Sequence, residues 1–411
     1  MEHLEISRFL AILVVMLGGA KLCGSLARRV GQPAVLGELF CGTLLGTSLL
    51  GWVDPNLETI HLLSELGVIV LLFAIGLETD LKKLLQVGFT SFAVAVVGVT
   101  LPFLFGYVAC KMMGKPEVTS IMAAATLTAT SVGITARVLS EIGKLHAPEG
   151  QVILGAAVID DILGLVILTI VMGLTDGEKV SLGSILTTTA TAFGFLAATL
   201  LLGSFVVPRI FPHKSEHESP GESAILALIL AFGLAWLAEK SGSAMIVGAF
   251  AAGLLVASSP QAHEIETGIT ALGRFFVPLF FVVVGASVDV SALDPTKPES
   301  RGALLIGLVL IITGVIGKGL AGYAPFWFRG NKTLIGVGMI PRGEVGLIFA
   351  QKGLEHGVFD MGMFGGVTLM VMITTLIAPP LLKVVADEKS SDHPTHDAED
   401  NIGIDELVND S

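Results

Sequence analysis

Two adjacent aspartates, Asp160 and Asp161, stand in an otherwise apolar run from Val152 to Met172 that holds no lysine, arginine or further acid. The run is long enough to cross a bilayer as a helix, because roughly 20 residues rising about 1.5 Å each match a hydrocarbon core near 30 Å. Both carboxylates would then lie near mid-depth, where a charge is costly unless it faces a water-filled cavity or an internal partner. Intramembrane acids of this kind mark ion or proton paths; the plainer alternative is an acid pair that staples helices together. Successive helical residues point about 100° apart, so the two cannot share one environment. One can face a partner while the other faces a cavity.

The rest of the chain is built for the same solvent. Hydrophobic residues make up 53% and charged residues 15%, with a mean hydropathy of +0.81. Soluble domains carry about 25% charged residues, so a soluble fold is excluded. Forty-nine glycines suit tightly packed and interrupted membrane helices. Cys23, Cys41 and Cys110 all fall in or at the ends of apolar segments and read as small packing residues, without a disulfide framework. The first apolar stretch, Phe9 to Ala20, has the length of a signal-peptide core but no A-x-A-like site after it, and it reads as a retained helix.

Apolar runs predict an all-α polytopic membrane protein with about thirteen spans: 6–24, 33–50, 60–78, 88–110, 117–139, 150–173, 184–211, 221–238, 242–257, 268–287, 302–328, 332–353 and 363–385. An odd number puts the termini on opposite sides. With the N-terminus outside, the inner loops and tail hold thirteen lysines and arginines and the outer loops eight; Lys21, Lys318 and Arg342 fall inside spans. The bias favours N-terminus out and C-terminus in the cytoplasm.

The longest polar connection, around Phe211 to Glu222, includes His213 and His217; a metal site is conceivable there, and a solvated loop is the simpler reading. Residues 386–411 carry nine acids and one lysine, which accounts for −8 of the net −12, and read as an acidic disordered tail. No basic stripe with interleaved aromatics suggests nucleic acid as a partner. No P-loop string occurs, so an ATP-driven mechanism is not expected, nor is any cofactor.

Three further spans hold groups that hydrocarbon alone would not tolerate. The fifth contains ATLTATSVGITARVL, with Thr126, Thr128, Thr130, Ser131 and Thr135 around Gly133. Its hydroxyls could bond back to the preceding turn or across to another helix, or belong to a broken helix whose freed carbonyls and hydroxyls coordinate a cation. The twelfth, GVGMIPRGEVGLIFA, places Pro341, Arg342, Gly343 and Glu344 together. Proline removes a backbone donor and clashes with the preceding turn, which predicts a second break. Arg342 and Glu344, two apart, would face each other only across such a break. The eleventh span supplies Lys318, with no acid near it on its own helix. It either snorkels to an interface or takes a carboxylate from another helix, Asp160 or Asp161 being the obvious partner.

One break in each half of the chain is what an inverted repeat would produce. Spans two to six and nine to thirteen hold five helices each, and seven spans separate their starts, so their topologies are opposite.

These strings together resemble bacterial sodium/proton antiporters of the cation:proton antiporter-2 family, of the aspartate-pair type, from about residue 8 to residue 384. The resemblance is carried by GQPAVLGELFCGTLLG, LFAIGLETDL, TLTATSVGITARVL, AAVIDDILGLVIL, GKGLAG and GMIPRGEVGLI. Related glutathione-gated potassium efflux systems replace the first of the two acids, and here both are present. The resemblance implies a homodimer in the membrane lipid, with mobile cores that carry the ion in an elevator-like motion. The core would comprise about 88–173 and 302–385, the dimerisation part about 6–78 and 221–287, and the linker helix about 184–211, all within an antiporter domain of residues 1–385. It also implies that Asp161 binds cation or proton, that Asp160 pairs with Lys318, and that Arg342 and Glu344 act electrostatically near a crossing of broken helices. Thr130 and Ser131 join Asp160 and Asp161 as candidate cation contacts, the transported sodium being the metal. Lithium would mimic sodium; the alternatives are a potassium/proton antiporter or a potassium efflux channel-like protein.

Rivals from other classes explain less. An intramembrane aspartyl protease also needs two membrane aspartates sharing a proton, but brings them from separate helices, and no enzyme activity is expected here. A cation channel is distinguished by conductance far above carrier turnover. A purely structural membrane protein would leave four charged groups at depth without a reason.

Overall fold

The computed structural model describes residues 6–175, 182–211, 220–288 and 298–388. In chain order its helices are α1 (Ile6–Arg29), α2 (Ala34–Leu45), α3 (Glu58–Glu78), α4 (Leu81–Gln86), α5 (Gly88–Met112), α6 (Glu117–Thr126), α7 (Val132–Glu141) and α8 (Pro148–Thr175). They continue as α9 (Leu182–Ile210), α10 (Pro220–Lys240), α11 (Met245–Ala257), α12 (Ala262–Ala286), α13 (Pro298–Ala321), α14 (Lys332–Gly338), α15 (Glu344–Glu355) and α16 (Met361–Glu388). No strand occurs among the described residues.

Nine of these helices are long and apolar enough to cross a membrane, and α2 and α11 are shorter apolar helices. The fifth and twelfth spans are each split, into α6 with α7 and α14 with α15. The thirteen predicted spans are thus all present, and both predicted breaks exist.

Where ends differ, local chemistry explains it. The second span stops at Leu45, not residue 50, because the chain turns at Gly46, whose N–H still bonds Gly42 O at 2.8 Å, and again at Gly51 with φ 64°. The eleventh stops at Ala321, not 328, where Gly322 and Pro325 begin a turn. The first runs on to Arg29, its last turn carrying Arg28 and Arg29 at the negative end of the helix dipole. Hydropathy could not show α4, a polar helix capped by Asp80, whose Oδ1 accepts from Lys82 N at 2.9 Å. The last helix reaches Glu388, so the first residues assigned to the acidic tail are helical, and 389–411 lie outside the described residues, as does the loop with His213 and His217.

The helices pack in two groups: α1, α2, α3, α10, α11 and α12 in one, α5 to α8 and α13 to α16 in the other, with α9 lying against α8, α10 and α11. Exchanging α1, α2, α3, α5, α6 with α7, and α8 for α10, α11, α12, α13, α14 with α15, and α16 maps most of the packing onto itself. The α1–α2 contact becomes α10–α11, α2–α12 becomes α11–α3, and α5–α8 becomes α13–α16; α3–α12 and α5–α13 map onto themselves. Glycines repeat in the same register. Gly31 and Gly242, with φ 73° and 75°, precede α2 and α11. A Cβ on Gly42 would strike the Val282 carbonyl, as one on Gly253 would strike that of Phe73; Gly285 meets the Leu39 carbonyl as Gly76 meets that of Phe250. The five-helix repeat therefore gains one helix at the start of each copy, α1 in the first and α10 in the second, to make six spans per copy.

The repeats differ in one respect. The two groups pack most extensively where α2 meets α7 and α16 and where α3 meets α7, toward the face where α1 and α16 end, while Val288, after α12, packs on Leu369 and Met372 of α16. The mirror contacts, α11 with α15 and α8 and α12 with α15, are not comparably packed among the described residues. The seam between the groups is closed on that face, called the C-face below.

Small-residue contacts of this kind cannot accept bulk. Gly253→Leu should strongly reduce the yield of folded protein, whereas Gly233→Leu, whose Cβ meets nothing within 4 Å, should be tolerated. Thermal stability and size-exclusion profiles in detergent compare the two; equal stability would contradict the packing.

Candidate ion site at the crossing of two broken helices

The fifth span breaks because its threonines offer the backbone other partners. Thr126 Oγ1 donates to Ala123 O at 2.6 Å and Thr128 Oγ1 to Ala125 O at 2.8 Å, closing the end of α6 on its own last turn. The twelfth breaks at Pro341, whose missing N–H costs nothing in an unwound segment. The unwound segments, Leu127 to Ser131 and Met339 to Gly343, then satisfy each other. Ser131 N donates to Pro341 O at 2.8 Å, Thr130 Oγ1 to Met339 O at 3.2 Å, and Thr135 Oγ1 to Gly338 O at 2.7 Å. These bonds answer the need of freed backbone groups at membrane depth. The threonine-rich string is broken between α6 and α7; some of its hydroxyls bond back along their helix and others bridge to the second break. The segments lie so close that a Cβ on Gly343 would fall 2.7 Å from Ser131 Oγ.

Arg342 crosses in the other direction. Its side chain is 1% exposed, and Nη1 donates to Ala129 O at 2.5 Å and to Thr128 O at 3.4 Å. Those carbonyls follow the C-terminal end of α6, where a helix presents about half a negative charge, so the guanidinium balances that end. The Arg342 carbonyl accepts a hydrogen bond from Thr375 Oγ1 on α16. The side chain of Glu344 lies outside the described residues; its backbone opens α15.

Asp160 and Asp161 sit mid-way along α8, which packs against α5, α6, α7 and α14. Lys318, on α13, reaches Asp160, with Nζ 3.1 Å from Oδ1 and 3.0 Å from Oδ2, and neither side chain is exposed. The partner of the lysine is therefore the first acid. Asp161, 6% exposed, points elsewhere around the helix, and its charge still acts on Lys318. Lys318 is held in register by Gly317, where a Cβ would strike the backbone of Pro102 on α5. Among the described residues no group of three or more histidines, cysteines and acids could hold a resident metal.

Sequence reasoning missed Thr375 and the close approach at Gly343. The pair Thr374–Thr375 in an apolar run was the available signal for the first. Nothing in one sequence distinguishes Gly343 from the other glycines.

Two half-helix pairs crossing beside a buried acid, with a lysine drawn in from another helix, form a candidate site of the kind from which secondary transporters build their midplane ion sites. The chain belongs to the sodium/hydrogen exchanger, transmembrane, family, whose description matches residues 12–387. It is 39% identical to the high-affinity Na(+)/H(+) antiporter NhaS3 of a Synechocystis strain, over 93% of this chain and 90% of that one. It is 35% identical to the Na(+)/H(+)-K(+) antiporter GerN of Bacillus cereus, over 92% and 96%. Its fold matches the sodium proton antiporter MjNhaP1 of Methanocaldococcus jannaschii with a TM-score of 0.67 at 18% identity, covering 93% of this chain and 98% of that one.

Removing one member of a buried ion pair leaves the other uncompensated, at a cost of about 3 to 5 kcal/mol. Asp160→Asn and Lys318→Gln should each lower thermal stability, and the double variant should recover much of the loss. A double-mutant cycle in detergent measures the coupling; additive losses would show that the pair does not stabilise the fold.

Proposed function

We propose that the protein is a secondary antiporter of the aspartate-pair type, exchanging sodium, or lithium in its place, for protons across a bacterial cytoplasmic membrane by alternating access. The observation that carries this reading is the buried Asp160–Lys318 pair beside Asp161 at the crossing of two broken helices, in a chain of the sodium/hydrogen exchanger family. Asp161 holds either a proton or a partly dehydrated cation. That exclusion couples the two fluxes without ATP. Asp160, Thr130 and Ser131 complete the cation contacts when the core moves, and Arg342, Glu344 and Pro341 keep the crossing charged and open.

The distribution of lysine and arginine supports a cytoplasmic C-face and C-terminus. The group α1, α2, α3, α10, α11 and α12 would form the interface of a homodimer, with α9 as linker, and the group around α8 and α13 would move against it like an elevator. If Lys318 releases a proton when Asp160 turns to the cation, two protons exchange per sodium and transport is electrogenic.

Potassium is the second reading. A 35% identical relative, GerN, carries potassium as well as sodium in its name, and no residue at the crossing rejects the larger ion on chemical grounds.

Asp161→Asn should abolish sodium-dependent proton movement in proteoliposomes carrying an internal pH dye, while the protein still folds. Substantial exchange in that variant would remove Asp161 from the ion path. In the same assay Thr130→Val should weaken the apparent sodium affinity; unchanged affinity would return Thr130 to the crossing alone.

A further inference from the structure

On the C-face seam a third acid is buried, away from Asp160 and Asp161. Glu38, one turn into α2, is 6% exposed, and its Oε2 has no hydrogen-bond partner. Its Cγ lies 3.7 Å from where a Cβ on Gly24 of α1 would stand, and Arg137 and Glu141 of α7 act on it across the seam. There Glu141 Oε2 accepts from Ala34 N, the first N–H of α2, at 2.6 Å, while Glu141 Oε1 lies 2.9 Å from Arg137 Nε. Two further polar links cross the same seam: Ser140 Oγ to Glu78 Oε2 at 3.4 Å, and the Lys383 ammonium on the carbonyl of Gly31.

The charges around Glu38 do not settle it as an anion. From α7 it feels Arg137 and Glu141, and from α1 it feels Arg28. Arg137 is already engaged by Glu141, and Arg28 sits in the exposed last turn of α1. From α16, Lys383 is taken by Gly31 O; from α12, Glu266 acts on Glu78 instead. Cys41, also on α2, is acted on by Glu38 and by Cys23 of α1. A buried carboxylate oxygen without a donor is costly when ionised and much less so when protonated.

We propose that Glu38 is a second proton-binding site, and that its proton holds the C-face seam closed. Opening the seam withdraws α7 and gives Glu38 water on the C-face. The proton then passes to that water and the carboxylate is hydrated. Because the closed seam binds the proton more tightly than the open one, acid favours closure and alkali favours opening. One such group shifts the ratio of open to closed by up to about tenfold per pH unit. This rests on the antiport reading only in giving the seam a transport role, since protonation and seam exposure are measurable without transport.

The test uses the full chain in proteoliposomes and two readouts. Infrared difference spectra on titrating pH should contain a protonated-carboxyl band that Glu38→Gln removes. A cysteine placed at Val35, buried on the same turn, in a variant with Cys23, Cys41 and Cys110 replaced by serine, should become more reactive to an impermeant thiol reagent from the C-face as pH rises. Glu38→Gln should keep that cysteine protected at every pH and flatten the dependence of exchange on C-face pH. If Glu38→Gln does not fold, Glu38→Asp, which keeps a titrating carboxyl, should show the same profile displaced along the pH axis. A reporter that opens with pH equally in wild type and Glu38→Gln, or a carboxyl band unchanged by the substitution, would overturn the proposal. If wild type shows the band and the reporter response but no cation-driven exchange, the antiport reading fails and the Glu38 site stands.

Discussion

An ammonium and a carboxylate, both wholly buried, face each other at 3.0 Å between α8 and α13, and much of the inner structure can be understood from what that pair demands. Neither charge could stay at membrane depth alone. Their meeting requires α5, α8 and α13 to approach closely, which Gly317 permits by lying against the backbone of Pro102. It also brings a second acid, Asp161, to the same depth without giving it the same surroundings.

The broken helices follow the same electrostatic logic. Each break exposes a negative helix end in a region without bulk water, and each is answered by the other segment: Arg342 on the carbonyls after α6, Thr130 and Thr135 on the carbonyls of Gly338 and Met339. A single break would leave such groups unanswered. Two crossing breaks answer each other, which ties the site to the inverted repeat that supplies one from each copy.

Much of this was legible in the sequence because burying charge in hydrocarbon leaves few choices. Asp160, Asp161, Lys318 and Arg342 stood out against apolar runs, and Pro341 marked its break. Which acid takes Lys318 could not be read from the residues alone, because it depends on the rotation of α8. The ends at Leu45 and Ala321 were misplaced because apolar residues continue into turns that Gly46, Gly322 and Pro325 impose. Helix α4 was invisible to hydropathy, since Asp80 and two lysines make it polar. Glu38 lies in the quoted string GQPAVLGELFCGTLLG, yet its burial at the seam between two helix groups is a tertiary fact. The five-helix repeat came from counting, and the matched packing of α1 on α2 and of α10 on α11 extends it to six spans.

The central claim is that one buried site holds a proton or a sodium ion but not both. Calorimetry of sodium binding to the purified protein, in buffers of different ionisation enthalpy, measures this without any flux. The account predicts that binding releases at least one proton and that apparent sodium affinity falls as the solution is acidified, approaching about tenfold per pH unit below the pKa of the site for a single competing proton. Sodium binding whose affinity is independent of pH and which releases no proton would contradict it.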